Sequence, residues 1–200
     1  MLVAVNTLGY GCAMTERLSQ EAWVAAGFAS LADAGPKAIQ INALATRLGT
    51  TKGSFYWHFK DLAAYKSAML TLWQTKVATE VMAEMSTHDT PRAKLSALVQ
   101  AAITPPPDDY GGGRIETAMR AWALSDGDVA DALARLDQMR LGFITELLND
   151  LGVGVGASRF APLVYAAYIG LDDLASRGHV DAPAGFAVLH DMILSAVDPD

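Results

Sequence analysis

The spacing of apolar residues predicts short helices at the start of the chain. Apolar side chains three and four positions apart mark the buried face of a helix. This pattern predicts a first helix over residues 20–34, with Ser19 as its N-cap and Gly35-Pro36 as its end. The same spacing predicts a second helix over residues 41–48, which ends at Gly49, a residue that readily adopts the left-handed conformation.

A third helix, of barely two turns, is predicted over residues 52–59. Thr51 is suited to cap it, and Phe55 and Phe59 lie one turn apart on one face. A fourth, long helix follows, with apolar positions that continue towards Met85.

Stretches rich in proline and glycine divide the rest of the chain into further predicted helices. These lie near residues 92–103, 114–124, 129–151, 158–177 and 184–197. No segment alternates between apolar and polar residues, which is the pattern of a half-buried strand. The sequence therefore predicts an all-α protein of about nine helices.

The composition is that of a packed globular protein. Of the 200 residues, 52% are hydrophobic and 18% are charged, which excludes a disordered or low-complexity chain. Cys12 is the sole cysteine, and the first residues lack the positive charge of a signal peptide. The longest apolar run, residues 160–171, is too short to span a membrane. We therefore expect a cytoplasmic protein without a membrane segment.

The net charge of −7 is unevenly distributed along the chain. Up to Lys66 there are six basic and four acidic residues, whereas the remainder has nine basic and 18 acidic residues. A basic end and an acidic end suit a protein of which one part meets a polyanion. The acidic remainder mildly favours a cationic small-molecule ligand.

The second and third predicted helices have the dimensions of a helix-turn-helix, whose second helix enters the major groove of DNA. With its two phenylalanines buried, the third helix would present Lys52, Gly53, Tyr56 and Trp57 on its opposite face. A cationic donor, a position without a side chain and two aromatic rings suit a groove. The alternative is that Tyr56 and Trp57 are packing residues in a generic helical corner.

The residues of this segment resemble a known DNA-binding signature. The pattern Ile41-x-x-Leu-Ala45-x-x-Leu-Gly49-x-Thr51-x-Gly-Ser-Phe-Tyr-x-His-Phe59 resembles that of the tetracycline-repressor-like (TetR) family of bacterial transcriptional regulators. The close resemblance extends over about residues 17–72. It implies a helix-turn-helix domain over 15–61 and a helical effector-binding and dimerisation domain over 62–200. It further implies a repressor that binds palindromic operator DNA as a homodimer and is released by a small molecule.

The resemblance also assigns DNA contacts. It places Thr51, Lys52, Gly53, Ser54, Tyr56 and Trp57 at base edges, His58 and Lys60 at phosphates, Asn42 at the groove margin and Arg17 at the DNA backbone. The chain departs from the family at Leu62, where a phosphate-binding lysine is usual, and at Thr50, where a buried valine is customary.

In the C-terminal part, methionines and aromatic residues suit an adaptable apolar pocket, although such residues at helical spacing are also typical of a core. The candidate pocket residues are Trp73, Met119, Trp122, Phe143, Tyr165 and Tyr168. By resemblance, the last two helices would form a four-helix bundle with a second subunit; the alternative is a core within one chain. The candidate interface residues are Phe160, Leu163, Ala167, Leu171, Phe186, Leu189 and Ile193.

The sequence lacks the motifs of common enzyme classes. Its four histidines form none of the usual metal-binding patterns, and no Gly-x-Ser-x-Gly motif is present. The glycines at 152, 154 and 156 follow a predicted helix rather than a strand, so we interpret them as a turn and not as a phosphate loop. We therefore expect no enzymatic activity, cofactor or metal. A helical adaptor that binds proteins and not DNA is the remaining alternative.

Overall fold

The computed structural model describes residues 18–76, 81–104 and 107–197, and all regular structure within these ranges is helical. The described α-helices are α1 (Gln20–Ala34), α2 (Ile41–Arg47), α3 (Lys52–Tyr56), α4 (Leu62–Gln74), α5 (Val81–Ser86), α6 (Pro91–Ile103), α7 (Ile115–Ala123), α8 (Gly127–Asp150), α9 (Ala157–Ser176) and α10 (Ala182–Val197). The all-α prediction is confirmed. No helix in the described ranges is long and apolar enough to cross a bilayer.

Polar side chains determine where the N-terminal helices begin. Ser19, Thr51 and Asp61 each accept a hydrogen bond from the backbone N–H three residues further on, at 3.2, 3.4 and 2.8 Å. Gly35 and Gly49 follow α1 and α2 with positive φ angles of 74° and 60°. These local signals are why α1 has the predicted bounds.

The predicted helix count differs from the observed one at the fourth helix. In place of one helix running to Met85, the structure describes α4, which ends at Gln74, and the short α5. Residues 77–80 between them lie outside the described ranges. The third helix is also shorter than predicted, because regular α-helix ends at Tyr56 and a turn continues to Phe59.

The buried apolar residues form two cores. The first core joins α1–α4 to α7 and the beginning of α8, and it includes both Trp23 of α1 and Trp122 of α7. The second core lies among α6, the later half of α8, α9 and α10. The N-terminal helices therefore share a core with helices beyond residue 61.

Helices α1 and α4 approach each other closely in the first core. The buried Tyr65 hydroxyl of α4 donates a hydrogen bond of 2.7 Å to the Trp23 carbonyl of α1. Gly27 makes this approach possible, because a Cβ atom there would lie 2.1 Å from Tyr65 Oη and 2.7 Å from Met69 Sδ. The absence of a side chain at position 27 thus lets α4 lie directly against the backbone of α1.

This packing predicts an unequal response to two glycine-to-alanine substitutions. We expect Gly27→Ala to lower the free energy of unfolding by about 1–3 kcal/mol, because the added methyl group displaces Tyr65. Gly142→Ala is the control, since Gly142 is an exposed position of α8 with no atom close to its Cβ site. It should raise the free energy of unfolding by about 0.5–1 kcal/mol. Urea denaturation measures both, and equal stability of the two variants would contradict this account of the α1–α4 contact.

Candidate nucleic-acid interface and ligand cavity

Buried aromatic residues determine which face of α3 is exposed. Phe55 is fully buried, with its ring edge-on to Trp23 at a centroid distance of 5.3 Å and close to Tyr65 at 5.5 Å. Phe59, in the turn after α3, packs on Phe55 and Tyr65 at 5.2 and 5.0 Å. These contacts orient α3 so that its opposite face is directed to solvent.

That opposite face carries the candidate DNA contacts. Trp57 is 82% exposed and Tyr56 is 50% exposed, and Lys52 Nζ lies 5.9 Å from the centre of the Tyr56 ring. Among the other candidates, Asn42, Thr51, Lys52, Gly53 and Lys60 are exposed, and Ser54 and His58 are half-buried. Arg17 lies outside the described residues. The described candidates are therefore accessible on α2, α3 and the turns beside them.

The helix-turn-helix is basic although the whole chain is acidic. Between Asp33 and Asp61 the sequence has no acidic residue and four Lys or Arg residues. An ammonium group, hydroxyls and exposed aromatic rings can meet phosphates, base edges and thymine methyl groups. This surface has the charge and the functional groups required to contact DNA.

Leu62 and Thr50, the two residues that depart from the family pattern, are both partly buried. Leu62, the first residue of α4, is half-buried and packs against the first core. Thr50 is also half-buried, and its backbone N–H donates to the Ala45 carbonyl at 2.9 Å. Leu62 therefore contributes packing where the family usually has a phosphate-binding charge.

A cavity of about 820 Å³ lies in the C-terminal part of the molecule. Its walls come from α4 to α10 and the segment before α7, with Phe28 of α1 also in the lining. Four of the predicted pocket residues line it: Trp73, Phe143, Tyr165 and Tyr168. The volume is within the range of pockets that bind small molecules.

Met119 and Trp122 do not line this cavity, contrary to the prediction. Both are buried in the first core, where α7 packs against α1 and α8. Lys66 Nζ lies 5.5 Å from the centre of the Trp122 ring and forms an ion pair of 2.7 Å with Asp126. The helical spacing of Met119 and Trp122 therefore reflects packing within the chain.

A network of charged side chains beside the cavity was not predicted from the sequence. Arg140 donates to both carboxylate oxygens of the buried Glu116, at 3.0 and 3.2 Å. Arg120 donates to Glu116 at 2.8 Å and to both oxygens of Asp137 at 3.2 and 2.8 Å. The Tyr165 hydroxyl donates to Asp137 at 2.6 Å and accepts from both arginines at 2.9 and 3.1 Å. The only sequence signal is the i, i+4 spacing of Glu116 and Arg120.

Two aspartates near this network have opposite pKa shifts. Burial opposes ionisation of Asp137, but hydrogen bonds from Arg120 and Tyr165 hold its pKa below the usual value. Burial, together with the nearby Glu116 charge, raises the pKa of Asp172 to about 6. Asp172 lines the cavity. Its carboxylate therefore lies where negative charge is poorly compensated.

The predicted interface residues of α9 and α10 do not share one exposed face. Phe186 and Ile193 are buried within the chain, as the intrachain alternative expected, and Phe160 and Leu189 are half-buried against the second core. Leu171 and Ala167 are half-buried, and Leu171 packs closely on Gly185. Leu163 is the exposed member of the set, at 64%.

The exposed apolar face of these helices includes residues that sequence reasoning missed. Val188 and Met192 of α10 are each 60% exposed, and Leu174 of α9 is 41% exposed. The i, i+4 spacing of Val188 and Met192 is a second apolar stripe on α10, beside the buried stripe of Phe186 and Ile193. This second stripe is the sequence signal that could have identified the exposed apolar residues of α10.

Comparisons with known proteins agree with this architecture. Residues 24–63 match the model of the bacterial regulatory proteins of the tetR family. No curated protein sequence matches the chain.

Two solved structures have a similar fold. One is a TetR-family transcriptional regulator from Rhodococcus sp., with 19% identity and a TM-score of 0.69, over 90% of this chain and 98% of that chain. The other is a transcriptional regulator from Saccharomonospora viridis in complex with choline, with 17% identity and a TM-score of 0.74, over 87% of this chain and 94% of that chain. Residues 24–63 of this chain thus match the tetR family of bacterial regulatory proteins, and the overall fold is that of TetR-family transcriptional regulators.

Proposed function

We propose that this protein is a transcriptional repressor that binds palindromic operator DNA as a homodimer and releases it when a small molecule occupies the cavity. The observation that carries this proposal is the exposed, acid-free surface of α2 and α3, held in place by Phe55 and Phe59. The protein acts by binding, with residues 15–61 as its DNA-binding part and 62–200 as its effector and dimerisation part.

The proposed DNA contacts divide into two groups. Base edges are read from the N-terminal end of α3 by Thr51, Lys52, Gly53, Ser54, Tyr56 and Trp57. Phosphates are bound by His58 and Lys60 after α3 and by Arg17, and Asn42 at the start of α2 lies at the groove margin. The first group supplies sequence preference, and the second supplies affinity that depends on salt.

We propose that the homodimer forms through α9 and α10. One short recognition helix reads few base pairs, and a two-fold dimer doubles the readout at half-sites about 34–36 Å apart. The exposed apolar side chains of Leu163, Val188 and Met192 support this assignment, because exposed apolar side chains on neighbouring helices are typical of a site of association.

Release from DNA requires a physical connection between the cavity and α2–α3. Phe28 of α1 and Arg114 before α7 both line the cavity. Asp33, near the end of α1, forms ion pairs of 2.7 Å with Arg114 and 3.0 Å with Arg47 of α2. A ligand that displaces Arg114 or Phe28 therefore acts on the helix-turn-helix through α1, as well as through α4. By linkage, DNA must weaken ligand binding by the same factor.

The Saccharomonospora viridis neighbour supports the assignment of an effector to this chain. That protein has a similar fold and was solved in complex with choline. The cavity described above is the candidate effector site in this chain, with four predicted aromatic residues on its walls.

The recognition surface is tested by single substitutions in α3. Lys52→Ala and Tyr56→Ala should each weaken binding to the DNA upstream of the protein's own gene by about 1–3 kcal/mol, because each removes a contact to a base edge. Fluorescence anisotropy over a salt series measures the effect, and in vitro transcription from that promoter tests repression.

Arg135→Ala is the matched control for these variants. Arg135 is exposed on α8, so its loss removes a surface cation far along the chain from α3. Affinity should stay unchanged in this control. Unchanged affinity in both Lys52→Ala and Tyr56→Ala would refute the assignment of α3 as the recognition helix.

The interface is tested by introducing charge on the exposed apolar face. Leu163→Glu and Val188→Glu should convert the dimer to a monomer and lower operator affinity, because each buries a carboxylate against an apolar surface. Sedimentation velocity gives the mass, and circular dichroism checks that the helices remain. Leu124→Glu is the control, since Leu124 is 90% exposed in the turn after α7. A stable wild-type monomer that binds a palindrome tightly would refute the proposed dimer.

A further inference from the structure

The charged residues on the cavity wall are unequally paired. Arg140 is held by both oxygens of Glu116, and Arg114 is held by Asp33. Asp172 differs: among the described residues its carboxylate has no hydrogen bond and no ion pair. It is thus a carboxylate on the cavity wall on which Arg140 and Arg120 act through space, without a direct ion pair.

The nearest arginines cannot neutralise Asp172 without giving up other partners. Arg120 is bound to Glu116, Asp137 and the Tyr165 hydroxyl. Arg140 is bound to Glu116 and the same hydroxyl. Each arginine is therefore already matched by carboxylates, and Asp172 is left without an ion pair. Among the described residues, Lys76 and Glu84 are the other charged residues on the wall of this cavity.

Aromatic rings lie beside this carboxylate. Tyr168 is one helical turn before Asp172 on α9, so both side chains share a face of that helix. The Tyr168 ring lies 6.0 Å from that of Phe186, and both residues line the cavity with Asp172. The Arg140 guanidinium also lies over the Tyr168 ring, 5.4 Å from its centre. A carboxylate next to aromatic rings attracts organic cations, because ring faces and carboxylates both favour positive charge.

We propose that the effector is an organic cation, an amine or quaternary ammonium with an extended apolar body; this proposal rests on the proposed function. The charged group of the effector lies against Asp172, beside Tyr168 and Phe186. The apolar body occupies the rest of the 820 Å³ cavity, among residues such as Trp73 and Phe143. An anion of the same shape, with its charged group in this position, would be repelled by the Asp172 carboxylate.

Three probes with ten-carbon chains and different charges test this proposal on the full-length protein. Decyltrimethylammonium, 1-decanol and decanoate are titrated below their micelle concentrations, with tryptophan fluorescence and calorimetry as readouts. We expect the cation to bind at least about tenfold more tightly than the alcohol and the carboxylate to bind most weakly.

Variants of α9 assign the preference to one carboxylate. Asp172→Asn should weaken binding of the cation at least about tenfold and leave the affinity for 1-decanol unchanged, whereas Asp172→Glu should keep the preference for the cation. Asp173→Asn is the control, because Asp173 is already paired with Arg177 at 2.8 Å and should keep wild-type selectivity. Circular dichroism establishes that each variant is folded.

The pH dependence supplies an independent readout. Glu116 and Arg120 from α7, Arg140 from α8 and Asp173 from α9 surround Asp172, and burial is the main reason that its pKa is raised to about 6. Protonated Asp172 has no charge, so cation affinity should fall as pH is lowered through this range, by up to about tenfold per pH unit. In Asp172→Asn this decrease should disappear.

The outcomes separate this proposal from the regulator function. Failure of decyltrimethylammonium to bind, equal binding of decanoate, or full cation affinity in Asp172→Asn would each overturn the cation proposal. If a neutral or anionic compound then releases operator DNA, the repressor function still holds. If no compound of any charge changes operator affinity, ligand-controlled release itself is refuted.

Discussion

The contact of α1 with α4 at Gly27 is the constraint on which the arrangement depends. Because position 27 has no side chain, the Tyr65 hydroxyl reaches the Trp23 carbonyl, and α4 lies directly on α1. Tyr65 also packs on Phe55, which orients α3. At its other end α4 carries Trp73 to the cavity wall. The surface of α3 and the shape of the cavity are thus connected through packed side chains, so a change in one can be transmitted to the other.

The distribution of charge differs between the two parts of the molecule. The segment between Asp33 and Asp61 has no acidic residue, so the helix-turn-helix remains basic in a chain of net charge −7. Farther along, arginines and carboxylates are matched inside the C-terminal part, as in the pair of Glu116 with Arg140. Burial of such charges is tolerated because each has a partner. Asp172 is where the matching is incomplete, and it lies on the cavity wall.

Helix α10 shows how one element serves two surfaces. Phe186 and Ile193 are directed into the second core, whereas Val188 and Met192 are exposed on another side. A helix that is apolar on two sides needs two partners. The chain itself provides the partner for the buried stripe, and the exposed stripe is the surface that we assign to a second copy.

The sequence alone determined the all-α class, the bounds of α1 and the presence of a helix-turn-helix. Caps such as Ser19 and Thr51 and the spacing of apolar residues carry this information, because they act within a few residues of the chain. It did not determine which neighbour covers each apolar face. The candidates Trp122 and Phe143 both have helical apolar spacing, yet one is buried in the first core and the other lines the cavity. The absence of an ion pair at Asp172 could likewise not be predicted from the sequence, since pairing among α7, α8 and α9 depends on contacts between residues far apart in sequence. Those contacts exist only once the helices have packed, and so only the tertiary structure decided them.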